Sequence, residues 1–425
     1  MTLIERSFKE KIILVGVVFP STDVKMVEKD LEELGSLVRT AGAIPVKSVI
    51  QKRDSADPKT FVGKGKAIEI AALSEELDVD TVVFDEGLTP GQQRNLEKIF
   101  GRTAIDRTAV ILDIFAQNAR SEAGVKQVEL ALISYRLPRL VGRGTSLSQQ
   151  GGGIGTRGPG ETKLETDRRR LLSTMNRLKK DLAKLDDVRK NQRKLRKRND
   201  VKRISLVGYT NVGKSTLLNA LTGSDAYVED RLFATLDSKT KRLVVNDKFE
   251  CLISDTVGFI RKLPHELVTA FHSTLEEVSE ADLLIHVVDA SSNDAELEVE
   301  AVREVLSEIG ARDIPELLVL NKCDKATLQK NLFKDAIEIS AEKREGLEHL
   351  IDQITFLINQ TNEVYKIKVP LSQPELRAKL YEFGKVAKEI VSESEFEITV
   401  ELSSRAVSEL SRLDRHIEGL EHVKV

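Results

Sequence analysis

Only two cysteines occur in 425 residues, and both, Cys251 and Cys323, lie in apolar strand-like runs. That excludes a disulfide framework and fits small buried thiols in a reducing compartment. Long hydrophobic runs are missing as well. No stretch reaches the ~18 apolar residues of a spanning helix, and the first residues show no basic segment leading into an apolar one with a cleavage site. A soluble, cytoplasmic protein is expected, with peripheral membrane association left open. Net charge is nearly absent: 65 basic against 68 acidic side chains leave −3. No partner can be read from that balance, yet charged residues make up 31% of the chain and they are clustered. The length exceeds what one core usually supports, so roughly two to four domains are expected.

What is present begins with alternation. Lys11 to Phe19 reads as a strand buried on both faces. Val24, Val27, Leu31, Leu34 and Val38 then recur at helical spacing until Gly42. A strand over Ala43 to Ile50, a helix over Val62 to Leu77, a strand over Thr81 to Phe84, a proline-opened helix from Pro90 to Phe100 and a short strand from Thr103 to Ile105 follow. Strands alternating with helices predict a small parallel α/β domain over residues 1–110. Within it, Val62-Gly-Lys-Gly-Lys66 lacks the spacer of a phosphate loop and reads as a surface turn. Asp85 and Glu86 follow a strand, where ligands of open sheets gather, but a solvated loop is the plainer expectation.

From Thr108 the pattern predicts one long helix that stops at Pro138. A glycine-rich loop over 142–160 comes next. Leu164, Leu171, Leu178 and Leu185 then recur every seven residues with Met175 and Leu182 between them, the mark of a helix packing along a narrow seam. The preceding helix is the natural partner. An antiparallel helical-hairpin arm over 111–200, tipped by the loop, is therefore expected. Arg168, Arg169 and Arg170 flank the start of the seam, and a basic run from Arg189 to Arg198 ends it. With Arg143 and Arg157 in the loop, these cations suit the phosphates of RNA; a solvated helix face is the plainer alternative.

The densest chemistry lies further on. Ile204 to Val207 reads as a strand, Gly208-Tyr-Thr-Asn-Val-Gly-Lys-Ser215 as a glycine loop, and Thr216 to Leu221 as a helix start. The loop fits G-x-x-x-x-G-K-[ST]: backbone amides curl around phosphates, Lys214 neutralises the β- and γ-phosphates, and Ser215 offers its hydroxyl to Mg2+. A strand from Phe249 to Ser254 runs into Asp255-Thr-Val-Gly258, where Asp255 can hold a metal-bound water and the Gly258 amide can sense the γ-phosphate. Leu317 to Leu320 runs into Asn321-Lys-Cys-Asp324, whose aspartate accepts from guanine N1 and its exocyclic amine. A last strand, Ala336 to Ile339, ends in Ser340-Ala341-Glu342, whose backbone can meet the guanine oxygen. Four motifs in order, each at the carboxyl end of a strand, point to guanine nucleotide binding with Mg2+ over 201–362. Residues 363–425 predict a small module with strand Val364 to Val369, helix Pro374 to Phe383, two strands within Lys388 to Leu402 and helix Arg405 to Arg415.

These motifs resemble the translation-factor-related class of Ras-like P-loop GTPases. The whole chain is similar to the HflX family of ribosome-associated GTPases through Leu137-Pro-Arg-Leu140, Gly151 to Arg169, the phosphate loop, Phe233-Ala-Thr-Leu-Asp237 and Asp255 to Ile260. The implied fold class is α/β: a P-loop GTPase domain preceded by a small parallel α/β domain carrying a long helical-hairpin arm, and followed by a small α+β module. The resemblance implies that Thr235 is the switch I threonine at the metal, an assignment that spacing alone does not separate from Thr240. The nucleotide site it implies comprises Gly208, Tyr209, Thr210, Asn211, Val212, Gly213, Lys214, Ser215 and Thr216; Phe233, Ala234, Thr235, Leu236 and Asp237; Asp255, Thr256, Val257 and Gly258; Asn321, Lys322, Cys323 and Asp324; and Ser340, Ala341 and Glu342. Ser215, Thr235 and, through water, Asp255 would hold Mg2+, and Lys214, Thr235 and Gly258 would act in hydrolysis of GTP to GDP and phosphate.

Where Ras-like enzymes place a water-orienting glutamine, this sequence has Phe259, with Val257 adding a second apolar side chain. Slow intrinsic hydrolysis that needs a group supplied elsewhere is therefore expected, and the resemblance points to the ribosome as its source. The resemblance also implies a monomeric factor that binds the large ribosomal subunit and its rRNA through the arm and splits or rescues stalled ribosomes under stress. Two other readings compete: a regulatory switch acting on a protein or membrane target, and an additional adenine-nucleotide activity in residues 1–110.

Overall fold

The computed structural model describes residues 9–140, 159–198, 201–224, 231–245, 249–262, 272–325, 333–360, 362–392, 394–403, 410 and 421–422. The glycine-rich segment 142–158 and most of the expected helix 405–415 lie outside the described residues, as do the side chains of the basic run from Arg189 to Arg198.

The N-terminal sheet is built from β1 (Lys11–Val18), β2 (Ile44–Lys52), β3 (Thr81–Phe84) and β4 (Thr103–Asp106), all parallel, in the order β2-β1-β3-β4. The run Ile-Ile-Leu-Val makes β1 a central strand, because every residue after Lys11 is buried. Helices α1 (Val24–Thr40), α2 (Lys64–Glu76) and α3 (Pro90–Phe100) provide the crossovers. Each boundary has a local cause. Thr89 and Gln92 form a capping box, Pro90 sits in the first turn, and Gly101 ends α3 in the left-handed region at φ +63°.

The single long helix expected from Thr108 is two. α4 (Arg107–Asn118) is capped by Asp106, whose carboxylate accepts from the Ala109 amide at 3.1 Å, and α5 (Glu122–Leu140) starts after a break at 119–121. Pro138 does not stop α5 where expected; it sits inside its last turns. α6 (Pro159–Arg198) lies against α5. Lys126 near the start of α5 comes within 3.7 Å of the Asp181 carboxylate, so α6 returns along α5. Leu178 of the seam is buried, while Leu171, Met175, Leu182 and Leu185 are half-buried.

The second sheet has six strands: β5 (Lys202–Gly208), β6 (Lys239–Val245), β7 (Phe249–Asp255), β8 (Leu283–Asp289), β9 (Glu316–Asn321) and β10 (Ile337–Glu338), ordered β10-β9-β8-β5-β7-β6. Only β6 runs antiparallel. Helices α7 (Lys214–Thr222), α8 (His272–Ser279), α9 (Ala295–Glu308) and α10 (Leu347–Gln360) accompany it. The C-terminal part forms an antiparallel sheet, β12-β13-β11-β14, from β11 (Asn362–Pro370), β12 (Gly384–Val391), β13 (Glu395–Ser403) and β14 (Glu421–His422), packed with α11 (Pro374–Phe383).

Candidate functional site

The phosphate loop is the turn between β5 and α7. Gly213 has φ +95°, and a Cβ there would stand 2.3 Å from Asn321 Nδ2, so glycine is what admits that asparagine. Asn321 donates to the Val212 carbonyl at 2.8 Å and accepts from the Ala341 amide at 2.9 Å, stapling the phosphate loop to the turn after β10. Lys322 reaches the Asn211 carbonyl at 2.8 Å and the Asp289 carboxylate at 2.7 Å. Base-side and phosphate-side motifs thus share one frame.

That frame encloses a cavity of about 560 Å³. Thr210, Asn211, Gly213, Lys214, Ser215, Thr216, Phe233, Ala234, Thr235, Thr256, Gly258, Lys322 and Glu342 line it, and so do Arg231, Ser291 and Lys325, which no motif singles out. Gly208, Tyr209, Val212, Leu236, Asp255, Val257, Asn321, Cys323, Asp324, Ser340 and Ala341 do not line it. Asp324 is held by the Ser340 hydroxyl, which donates to Oδ1 at 2.8 Å and keeps the carboxyl below its ordinary range. Cys323 turns its thiol to the Leu320 carbonyl. A second cavity, of about 510 Å³ between α1 and β2, gathers none of the expected residues.

On the phosphate side, Lys214 Nζ donates to the Gly208 and Tyr209 carbonyls at 3.1 and 2.7 Å. Burial pulls its ammonium down to about 8, against the pull of Asp255 and with a further push from Lys322. Ser215 Oγ lies 2.5 Å from Asp255 Oδ2 and 2.8 Å from Thr235 Oγ1, and Thr235 Oγ1 lies 3.1 Å from the same carboxylate oxygen. Thr240 is elsewhere, paired with Ser254 across β6 and β7 at 2.9 Å. The geometry therefore separates two threonines that spacing does not. Asp255 is fully buried, its carboxyl is raised by burial, and its Oδ1 has no hydrogen-bond partner. Two hydroxyls and one under-satisfied carboxylate fit a small hard cation that keeps waters and phosphate oxygens as its other ligands. Among the described residues no group of three or more His, Cys, Asp or Glu competes for a metal.

Phe259 is buried, absent from the cavity lining, and paired by its backbone with the phosphate loop: its amide meets the Gly208 carbonyl at 3.1 Å and its carbonyl the Thr210 amide at 2.8 Å.

Family models match consecutive parts of the chain between residues 28 and 322: GTP-binding GTPase N-terminal over residues 28–116, GTP-binding GTPase middle region over 118–196, and 50S ribosome-binding GTPase over 203–322. The GTPase HflX of Caldanaerobacter subterraneus subsp. tengcongensis is 45% identical over 401 residues, 93% of either chain. The chain belongs to the HflX family of GTPases. Other HflX proteins are similar too: that of Alkalihalophilus pseudofirmus is 48% identical over 80% of either chain, and that of Escherichia coli 42% identical over 90% of this chain and 91% of its own.

What the motifs do not reveal is how this HflX-family site meets the N-terminal domain. Tyr209 donates its hydroxyl to Glu33 of α1 and accepts from the Arg261 amide at 2.8 Å. Arg107 pairs with Glu33 and, at 2.8 Å, with Asp85, and donates to the Arg261 carbonyl at 3.2 Å. Lys262 reaches Asp30, Asp85 and Glu86 at 2.9, 2.6 and 2.7 Å. The expected solvated loop at Asp85 and Glu86 is thus corrected: Asp85 is buried, and although burial raises its carboxyl, Arg107 and Lys262 outweigh that and hold it low. The signal available in sequence was only the position of these carboxylates after a strand. Asp237 is a second surprise, since its carboxylate points out of the nucleotide site toward α5.

Proposed function

We propose that this chain is a Mg2+-dependent, ribosome-stimulated GTPase that binds the large ribosomal subunit and splits or rescues stalled ribosomes under stress. The observation that carries the chemistry is a single cavity lined by Lys214, Ser215, Thr235 and Gly258 together with Lys322 and Lys325, which flank Asp324. For the partner, the support is the match to a model described as 50S ribosome-binding GTPase, together with the basic arm helix.

In this reading the amides of the phosphate loop and Lys214 hold the β- and γ-phosphates, and Asp324 selects guanine. Ser215, Thr235 and Asp255 would hold the cation, whose chemistry is to neutralise charge that develops on the phosphate oxygens. The Gly258 amide and Thr235 register the γ-phosphate. Phe259 has no group that could orient water, so turnover waits for a positioning group from the ribosome. The test is cosedimentation with ribosomes and separated subunits in GDP and in a non-hydrolysable GTP analogue, alongside turnover with and without ribosomes. Salt-sensitive, GTP-favoured binding to the large subunit that is lost when residues 142–160 are deleted is expected. Equal binding in both nucleotides, or ribosome-independent turnover at the stimulated rate, would refute the proposal.

A further inference from the structure

A helix start is stabilised when the N-cap side chain accepts from the third helical residue and that residue's own side chain accepts from the N-cap amide. At α5 the first half is present: Ser121 Oγ accepts from the Gly124 amide at 2.9 Å. The second half cannot come from Gly124, which has no side chain. It comes instead from across the domain boundary. Asp237 Oδ2 accepts from the Ser121 amide at 2.7 Å and from the Arg120 amide at 3.0 Å, and Ser121 Oγ donates to Asp237 Oδ1. A Cβ on Gly124 would stand 2.3 Å from Asp237 Oδ1, so the absence of a side chain at that position is what lets the carboxylate in.

Asp237 lies two residues after Thr235, and the other flank of that threonine is held from the same corner. Asn118, the last residue of α4, donates to the Phe233 carbonyl at 2.8 Å, and Phe115 packs edge-on to Phe233 with ring centroids 4.8 Å apart. Phe233 itself has φ +55°, a strained conformation that its surroundings must maintain.

We infer that Asp237 is a positioning residue for Thr235, acting by completing the capping box of α5 in trans, and that the arm's first helix is thereby capped only while switch I is closed on the γ-phosphate. This rests on the reading of Thr235 given above. A carboxylate at a helix N-terminus gains from the exposed amides and the dipole, so closing switch I and ordering the start of α5 favour each other by the same free energy.

The test uses the full-length protein with fluorescent GTP-analogue and GDP release, single-turnover hydrolysis, and amide exchange at Arg120 and Ser121. Asp237→Asn and Gly124→Ala should each speed release of the GTP analogue by about fivefold to tenfold, the equivalent of one lost helix cap, and slow hydrolysis, while GDP release stays at the wild-type rate. The Gly124→Ala result is the sharper one, because alanine by itself favours a helix and the residue is outside the nucleotide domain. The double variant should be no worse than either single. In the wild type, exchange at Arg120 and Ser121 should be slower with the GTP analogue than with GDP. Thr235→Ala is the control: if it treats the two nucleotides alike, the reading of Thr235 fails. If Thr235→Ala separates them but Gly124→Ala and Asp237→Asn do not, or if those variants accelerate GDP release equally, the inference is overturned.

Discussion

The two parallel sheets of this chain follow one rule and put it to different uses. Both gather polar groups beyond the carboxyl ends of their strands. In the six-stranded sheet that edge opens on the cavity lined by Lys214, Ser215, Thr235 and Gly258. In the four-stranded sheet the same edge is filled: Asp85 and Glu86, just after β3, are occupied by Lys262 from the segment after β7, with Arg107 behind. One edge opens on the cavity proposed for the nucleotide, and the other receives Lys262 from the neighbouring nucleotide domain. A crevice at a sheet edge therefore marks a place for a ligand without saying whether the ligand is foreign or part of the chain.

The filled edge is broken most severely by Arg107→Ala. This guanidinium is buried between Glu33 and Asp85, and its removal takes the arginine from both carboxylates, leaving Asp85 with Lys262 and Glu33 with the Tyr209 hydroxyl, so a loss of about 4 kcal/mol is expected, read as a lowered unfolding midpoint. At the open edge, Asp324→Asn should weaken guanine nucleotides on the order of 10³-fold and shift preference toward xanthine nucleotides, measured by competitive binding. Lys214→Ala should cost about 100-fold in affinity for GDP and GTP alike, by removing one charged contact to phosphate. The smallest effect is in protons. Because Lys214 sits near 8 rather than at the ordinary 10.5, the cost of burying its charge is fully felt below about pH 8 and is relieved as pH rises toward 10.5. A bound phosphate restores the ammonium. Calorimetry in buffers of different ionisation heat should show proton uptake on nucleotide binding at pH 9 and almost none at pH 6.5; equal uptake at both would remove Lys214 from that role.

Much of the open edge was legible because its motifs are backbone devices of fixed spacing. Gly208 to Ser215, Asp255 to Gly258 and Asn321 to Asp324 each need a particular residue type where a strand ends, and the strands themselves announced their ends in runs such as Leu317 to Leu320. The filled edge was not. Nothing local tells Asp85 that Lys262, 177 residues away, will neutralise it, so a solvated loop was the natural expectation. β6 carries too little apolar alternation to stand out, and it forms because it pairs with β7. The long helix from Thr108 was expected unbroken because apolar positions resume at Val128 after Phe115; at the break the amides of Arg120 and Ser121 donate to Asp237, which lies more than a hundred residues away in sequence.

By itself the sequence determined the class of chemistry, the four strands of the nucleotide domain that end in motifs, and which residue types could meet phosphate, guanine and a cation, since each follows from spacing along a single segment. Tertiary structure put Thr235, the threonine the family resemblance implies, at Asp255 where spacing left Thr240 open, and it alone decided where the carboxylates of the N-terminal domain find their cations and why Asp237 faces an arm helix. Those outcomes depend on electrostatic and hydrogen-bond partners brought together from distant segments, and the energy of burying a charge or an amide is set by what the fold places beside it.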